Sequence, residues 1–433
     1  MPHPAAHTTA PAQPTAPRRS LAPDIARGMM LLFIALANVS FFLWDRSSGL
    51  TNAHPTEGTI LDRVLQALMM IMIDHRSVPM FAFLFGYGIV QFANSRLARG
   101  IPETAVRRML RRRHWWMLAF GLIHAGLLFY GDVLGTYALT ALVLMGILFR
   151  RSDRVLLVCS SIGLCLIGLV AALGVVGGAL AAEQPGSAAA AGGGLGVADG
   201  REAAVGESSY PVSVLARLGI WAVLTPAQII GLAIPVCVLL GWLAARHRLL
   251  DEPARHRRTL IRIAAFGIPI GWLGGLPGAL AHTGLVDPAS IGLPAEPGFM
   301  FFGLAVFTGI FTGIGYAALF GLIALRWQGA ARTPAPLRAL SATGQRSLTF
   351  YLWQSLVFAP LMAAWGLGLG AHMGTAAALG LALLVWLAGI GLAVRLDRRG
   401  RRGPAELLLR RLTYGSDDPV QPAASFSGRS AAP

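Results

Sequence analysis

Apolar residues lie along this chain in long blocks that are separated by short polar loops. Ten of the blocks hold about 18 residues or more, and a helix of that length crosses a hydrocarbon core of about 30 Å. Two shorter stretches, at about 60–73 and 212–226, predict re-entrant or interfacial helices. The pattern predicts transmembrane helices at about residues 28–45, 77–95, 114–131, 133–150, 154–182, 228–246, 261–282, 299–325, 347–369 and 373–394.

The predicted fold class is therefore all-α, a polytopic bundle of about ten crossings with one or two re-entrant or interfacial helices. Residues 21–414 form a single transmembrane domain, within which the Gly/Ala-rich segment 183–211 is a flexible external linker. We expect both ends, 1–20 and 415–433, to be disordered and cytoplasmic, since Pro, Ala, Ser and polar residues dominate them.

Composition supports a membrane protein. Of the 433 residues, 55% are hydrophobic and 13% are charged, whereas about 25% are charged in soluble domains. The net charge is +16, but the arginines that supply it lie in short loops beside apolar blocks and form no basic face for nucleic acid. The three cysteines lack metal-ligand spacing, so neither nucleic-acid binding nor a metal site is predicted.

The arginines also predict the orientation of the chain. They concentrate in alternate loops, while the other loops hold few of them, and the positive-inside rule places arginine-rich loops in the cytoplasm. Both termini are then cytoplasmic, as an even number of crossings requires. The arginine-rich loops are 96–113, 150–154, 246–262, 326–346 and 395–411.

Ionisable residues inside or beside transmembrane segments are costly, so each is a candidate functional residue. Asp74, His75 and Arg76 form the densest such group, directly before a predicted crossing. A carboxylate beside an imidazole can orient it and raise its basicity for proton transfer. The alternative is an interfacial loop, where charges cost little.

A second candidate pair is His124 and Asp132, eight residues apart around the junction of two predicted crossings. His124 is either a functional base or a buried histidine satisfied by a neighbouring helix. Asp132 either acts with it or caps the following helix.

Three further polar groups stand near the first and third crossings. Asp24 and Arg27 predict a helix cap and an inside anchor, whereas Asn38 suits either an interhelical hydrogen bond or a site role. The predicted donor-binding residues are arginines that attract the phosphates of an acyl-CoA or an anionic lipid: Arg27, Arg107, Arg108 and Arg111.

Five short segments in order make the chain resemble the YeiB-like bacterial membrane proteins, whose shared domain is domain of unknown function 418. They begin Asp24-Ile25-Ala26-Arg27-Gly28, Phe83-Leu84-Phe85-Gly86-Tyr87-Gly88, Gly121-Leu122-Ile123-His124, Ser347-Leu348-Thr349-Phe350-Tyr351 and Gly403-Pro404-Ala405-Glu406. The resemblance implies a bacterial cytoplasmic (plasma) membrane location. That family is distantly similar to membrane acyltransferases of the heparan-glucosaminide acetyltransferase type, which pair an Asp-x-x-Arg-Gly start with an Asn and a later His. Here Asn38 matches the Asn, and His54 matches the His with a longer spacing.

The leading hypothesis is an acyltransferase that passes an acyl group from a cytoplasmic acyl-CoA-like co-substrate to a small-molecule or glycan acceptor on the outer side. His124 and His75 rank first as base or acyl carrier and His54 third, with Asn38 and Arg76 stabilising negative charge. The alternatives are a proton-coupled transporter or exporter and a non-catalytic envelope-assembly factor. The enzyme hypothesis expects Asn38, His75 and His124 to share one cavity, and separate placement counts against it. The sequence sets no oligomeric state and predicts no bound cofactor.

Overall fold

A computed structural model describes residues 21–49, 51–182, 200–287, 290, 298–327 and 333–414. Within these ranges the fold is all-helical, and the only extended pairing is an isolated bridge between Ser48 and Pro55. The predicted disordered ends and residues 183–199 of the predicted linker lie outside the described ranges. The helices are α1 Leu21–Val39, α2 Ile60–Met72, α3 Ser77–Leu97, α4 Glu103–Leu127, α5 Leu134–Ile147, α6 Asp153–Ala182, α7 Tyr210–Ile230, α8 Ala233–Arg246, α9 Arg257–His282, α10 Gly298–Arg326, α11 Ala335–Gly344, α12 Ser347–Met362, α13 Thr375–Arg398 and α14 Pro404–Tyr414.

The helices form a multi-pass membrane bundle. Seven helical segments are long and apolar enough to cross a bilayer: 21–42, 60–97, 153–180, 210–230, 257–282, 300–326 and 375–398. Their outward sides are apolar, as on α6, where Val170 is 66% exposed and Leu173 61%. Such surfaces indicate a lipid bilayer environment. The count of ten crossings stays a prediction.

The stretch at 212–226, predicted to be too short for a span, lies within the 21-residue helix α7. Its side chains contact the neighbouring ends of α4 and α5, since Tyr210 donates a hydrogen bond to the Leu127 carbonyl and Trp221 lies against Gly135. The helix is continuous although it contains Arg217 and Pro226. Arg217 is buried and donates to the Gly126 carbonyl at 2.9 Å.

Polar contacts divide the loops into two groups at opposite ends of the bundle. At the arginine-rich face, Arg246 pairs with Asp153 at 2.8 Å and Arg346 with Asp397 at 3.1 Å. At the opposite face, the Trp44 indole donates to the Met362 carbonyl at 2.8 Å. The loops that were predicted to share a side of the membrane therefore contact one another.

Close backbone contacts between helices depend on glycine. A Cβ at Gly28 would collide with the Leu340 carbonyl of α11, and one at Gly86 would collide with Val238 of α8. Both glycines belong to the short segments on which the resemblance to the YeiB-like proteins rests. Close helix packing explains why glycine stands at these positions.

Candidate functional site

His54 and Asp74 form a hydrogen-bonded pair at the face opposite the arginine-rich loops. His54 lies in the loop between α1 and α2, and Asp74 lies in the turn between α2 and α3. The Nε2 atom of His54 is 2.7 Å from Oδ2 of Asp74. The other ring nitrogen, Nδ1, is 3.3 Å from the Ser40 hydroxyl in the 3-10 turn that ends α1. Three segments distant in the sequence thus meet at one imidazole.

These two contacts determine which ring nitrogen of His54 carries the proton. An ionised carboxylate only accepts hydrogen bonds, so the neutral ring carries its proton on Nε2 and donates it to Asp74. Nδ1 is then the acceptor and faces the Ser40 hydroxyl. A hydroxyl, an imidazole and a carboxylate in this sequence of contacts make up the arrangement by which enzymes activate an oxygen nucleophile.

Buried polar groups hold the His54 loop in place. Arg201 is fully buried and donates to the carbonyls of Ala53 at 3.2 Å and Arg46 at 2.7 Å. The Asn52 side chain accepts from the His54 amide at 2.9 Å. The imidazole therefore sits on a loop whose backbone is anchored on both sides of it.

The turn that carries Asp74 is equally constrained. His75 has a φ of 59°, which is uncommon for a residue other than glycine and breaks the helix between α2 and α3. Arg76 is completely buried and donates to the Asp74 carbonyl and, at 2.5 Å, to the Gly271 carbonyl of α9. A Cβ at Gly275 would collide with this guanidinium. The turn is thus fastened to α9.

A cavity of about 210 Å³ opens beside the His54–Asp74 pair. The Asp74 side chain, 17% exposed, reaches it, whereas His54 is 2% exposed and stands behind. Asn52 and His282 contribute polar atoms, and their side chains are 3.4 Å apart. We refer to this space as the polar cavity, and it is lined by Ser48, Gly49, Thr51, Asn52, Thr56, Met70, Asp74, His75, Gly274, Gly275, Gly278, Ala281, His282, Phe301, Phe302 and Ala305.

His124 and Asp132 form a second pair that is fully enclosed. Nδ1 of His124 is 2.8 Å from Oδ1 of Asp132, and the Tyr351 hydroxyl donates to the same oxygen at 3.1 Å. The other carboxylate oxygen accepts from the Gly135 amide at 2.7 Å, in the first turn of α5. Neither residue lines the polar cavity. These contacts fit the capping interpretation of Asp132 and a structural histidine.

The other short segments also have structural explanations. The Tyr87 hydroxyl donates to Asp251 at 2.9 Å and accepts from the Leu250 amide, which ties α3 to the loop after α8. Glu406 accepts from the amides of Leu348 and Thr349 at the start of α12, at 2.8 and 3.1 Å. Each segment fixes one helix end or one helix contact.

Comparison with known proteins finds matches to a domain family and to bacterial proteins. The family model described as protein of unknown function (DUF418) matches residues 244–416. The uncharacterized protein YxaH of Bacillus subtilis (strain 168) is 27% identical over 414 residues, which cover 92% of this chain and 94% of that protein. The uncharacterized protein YeiB of Escherichia coli (strain K12) is 29% identical over 420 residues, covering 93% and 98%.

The chain is similar to the YeiB-like DUF418 proteins, in its carboxyl-terminal part by the family model and over most of its length at 27% and 29% identity. Both relatives align over more than nine-tenths of the chain, well beyond the carboxyl-terminal part that the family model matches. Neither relative's name states an activity.

The structure brings only some of the predicted site residues together. Asp74 and His75 line the polar cavity, and Arg76 lies behind it. Asp74 pairs with His54 rather than with its neighbour His75, whose ring packs edge-on against Phe302 at 5.2 Å. The proximity of Asp74 and His75 in sequence therefore gave the wrong imidazole partner for this carboxylate.

The remaining predicted residues lie elsewhere in the protein. Asn38 is half-buried, lines no part of the polar cavity, and has no side-chain hydrogen bond among the described residues. The single cavity expected for Asn38, His75 and His124 is therefore not formed. At the arginine-rich face, Arg27 lies 3.4 Å from Asp24, Arg107 pairs with Glu103 at 2.7 Å, and Arg108 and Arg111 are exposed.

Sequence reasoning missed Ser40 and Asn52. No spacing signal marks them, because each contacts its partner across a loop or from another helix. No group of three or more His, Cys, Asp or Glu side chains placed to hold a metal occurs in the parts of the chain that the structure describes.

Proposed function

We propose that this protein is a membrane acyltransferase whose His54–Asp74 pair activates a hydroxyl group. The observation that carries the proposal is the continuous contact from the Ser40 hydroxyl through His54 to Asp74, at 3.3 and 2.7 Å, beside an open cavity. The proposal moves the base from His124 and His75, which the sequence favoured, to His54. His124 has no part in it, because neither His124 nor Asp132 lines the polar cavity, whereas Asp74 does.

The proposed reaction needs only the groups at this site and the two substrates. The hydroxyl oxygen at Nδ1 of His54 attacks the thioester carbonyl and its proton passes to Nδ1, while Asp74 stabilises the resulting imidazolium. The carbon–sulfur bond then breaks, and the thiolate takes the proton from His54. The products are an ester and a free thiol. Since Asp74 is hydrogen-bonded to Nε2, it also keeps the ring in the tautomer that this step requires.

Two faces of the membrane are involved in the proposal. If the arginine-rich loops are cytoplasmic, as the positive-inside rule predicts, the polar cavity opens to the outer side and receives the acceptor. The donor enters from the cytoplasm of a bacterial cell, across its cytoplasmic membrane. Arg27 and Ser40 are thirteen residues apart on and just after α1, roughly 20 Å along a helix. The acyl group therefore needs a long flexible carrier arm.

The first test measures release of free thiol from acetyl-CoA and longer acyl-CoAs by the purified protein in lipid nanodiscs. We expect thiol release in the parent chain and a loss of roughly 100-fold or more in His54→Gln and Asp74→Asn, since positioned acid–base groups contribute about that factor. His372→Gln is the matched control, because His372 is exposed in the loop before α13. Equal rates in His54→Gln and His372→Gln would refute the proposal.

Replacement of Ser40 distinguishes two forms of the reaction, which differ in the hydroxyl that attacks the thioester. If Ser40 is the attacking hydroxyl, Ser40→Ala abolishes transfer, and the denatured parent protein carries a labelled acyl group on the peptide that contains Ser40. If the acceptor hydroxyl attacks directly, Ser40→Ala retains transfer and no label remains on the protein.

A proton-coupled transporter is the second candidate. The observation that favours it is the presence of two carboxylate–imidazole pairs, His54–Asp74 and His124–Asp132, in one membrane domain. Such a protein moves protons when reconstituted in vesicles. Proton flux that is lost in both His54→Gln and His124→Gln, without thiol release from any donor, would favour this function over acyl transfer.

A further inference from the structure

Three arginines gather around two aromatic rings at the arginine-rich face, and a fourth lies beside them. Arg96 and Arg113 lie over the ring of Phe92, with their guanidinium carbons 4.5 and 5.5 Å from its centroid. Arg96 and Arg410 are both 5.7 Å from the centroid of Tyr414, and Arg96 donates to the Tyr414 hydroxyl at 2.6 Å.

The fourth arginine, Arg27, reaches the same side of α3. Its Nη2 atom lies 3.0 Å from the position that a Cβ would occupy at Gly88, one helical turn before Phe92. Arg27, Arg96 and the Glu406 carboxylate all lie within electrostatic range of Arg113. Arg27, Arg96, Arg113 and Arg410 therefore form one arginine cluster, built from α1, α3, α4 and α14.

Two members of the cluster, Arg96 and Arg113, have no ion pair with a carboxylate among the described residues. Asp24 is 3.4 Å from Arg27, and the Glu406 carboxylate is engaged by Leu348 and Thr349 at the start of α12. Across the described ranges, Arg113 has no hydrogen bond or ion pair, and the Nε of Arg96 is buried without a partner. Arg96 and Arg113 are therefore two neighbouring positive charges without an ion-pair partner in the described ranges, and they repel each other in a partly dehydrated place.

The form of the cluster suits a phosphate better than a carboxylate-bearing side chain. Guanidinium groups present planar donor pairs that match phosphate oxygens, and stacking on Phe92 and Tyr414 holds two of them in a fixed orientation. Arg108 and Arg111 on the same helix α4 are exposed, and Arg107 pairs with Glu103. They lack the enclosure that strengthens electrostatic binding.

We propose that the arginine cluster is a binding site for a phosphate group. The group comes either from a soluble phosphorylated ligand or from the headgroup of an anionic phospholipid, which share this chemistry. The site is separate from the His54–Asp74 pair, and the proposal does not depend on acyl transfer.

Two binding measurements on the full chain test the site and separate the two sources. Inorganic pyrophosphate is titrated into the detergent-solubilised protein by microscale thermophoresis, and retained phosphatidylglycerol is counted by native mass spectrometry. The variants are Arg113→Gln and Arg96→Gln. Arg108→Gln and Arg111→Gln are the matched controls, since they remove the same charge from exposed positions of α4.

We expect Arg113→Gln and Arg96→Gln to weaken one of the probes by roughly tenfold or more, the effect of losing a charge-assisted hydrogen bond, and the controls to change it by less than about twofold. Weaker pyrophosphate binding identifies a soluble ligand, and reduced phosphatidylglycerol alone identifies a lipid headgroup. Arg113→Lys keeps the charge but loses the planar donors, so its affinity for the probe should lie between those of the parent and Arg113→Gln. If Arg113→Gln does not fold, Arg113→Lys takes its place in the test. The proposal is overturned when neither probe distinguishes the cluster variants from the controls. Loss of thiol release in His54→Gln leaves this result unaffected.

Discussion

Replacing Gly86 by alanine tests how closely α3 and α8 pack. A Cβ at Gly86 would overlap the carbonyl oxygen of Val238 and stand 2.9 Å from its Cα, whereas ordinary contacts begin at 3.4 Å. The colliding atoms belong to the backbone of α8, so no side-chain rotation relieves the overlap. The two helices therefore have to separate by at least about half an ångström in a densely packed interior.

The expected magnitude follows from two opposing effects. Overpacking of a core costs about 1–3 kcal/mol, while alanine in place of a helical glycine contributes about 0.5–1 kcal/mol of stabilisation. We expect Gly86→Ala to lower the free energy of unfolding by about 1–2 kcal/mol. Gly219→Ala in α7 is the matched control, since nothing lies within 4 Å of its Cβ, and it should be neutral or slightly stabilising.

The measurement is equilibrium unfolding of the parent and both variants in mixed detergent micelles, followed by tryptophan fluorescence. If Gly86→Ala proves as stable as Gly219→Ala, the close approach of α3 and α8 is incorrect. Gly88→Ala adds a third comparison. Its Cβ meets only the end of the Arg27 side chain, so stability should hardly change while phosphate-probe binding at the arginine cluster weakens.

Three further predictions concern the loops and the second buried pair. Arg201→Gln removes two hydrogen bonds from the His54 loop, so hydrogen–deuterium exchange at the His54 amide should become faster, and unchanged exchange would contradict the anchoring role. Asp132→Ala removes the hydrogen-bond partner of the buried His124 and should destabilise the protein by about 3–5 kcal/mol. Adding His124→Phe to this variant should have a smaller additional effect on the free energy of unfolding. Additive effects of the two substitutions would argue against an interaction between the two side chains. A green fluorescent protein fused after residue 433 should fluoresce and an alkaline phosphatase fused there should stay inactive, because both termini are predicted to be cytoplasmic; an active phosphatase would reverse the orientation.

The positions of most helices could be predicted because long apolar blocks are a strong signal. The limits of that signal are visible at α4, which begins at Glu103 although its apolar block begins near residue 114. Hydropathy finds the part of a helix that suits lipid and misses a charged extension. At α7, Arg217 interrupts the apolar pattern, but it donates hydrogen bonds to carbonyls of α4 and of the preceding turn.

The candidate site was harder to predict, since its contacts join residues far apart in sequence. His54 and Asp74 are separated by the whole of α2, and nothing in their spacing indicates that they meet. Asp74 and His75 are adjacent, yet the left-handed conformation of His75 breaks the helix between them and α3, and the two side chains find different partners. Side-chain direction at a helix break depends on tertiary packing, which no local pattern encodes.

The glycine contacts also bear on which parts of the molecule are able to move. At Gly28, Gly86 and Gly267 the helices meet backbone to backbone, and such contacts leave no soft layer of side chains in which one helix slides past another. The helices joined this way behave as a stiff frame. Rearrangement during a working cycle would then be confined to the outer helix α7, whose Leu215 is 70% exposed. The wall of the polar cavity belongs to the stiff frame, since the Met70 carbonyl of α2 lies 2.8 Å from the Cβ position of Gly275 in α9. The polar cavity would therefore keep its shape while the rim of the bundle moves.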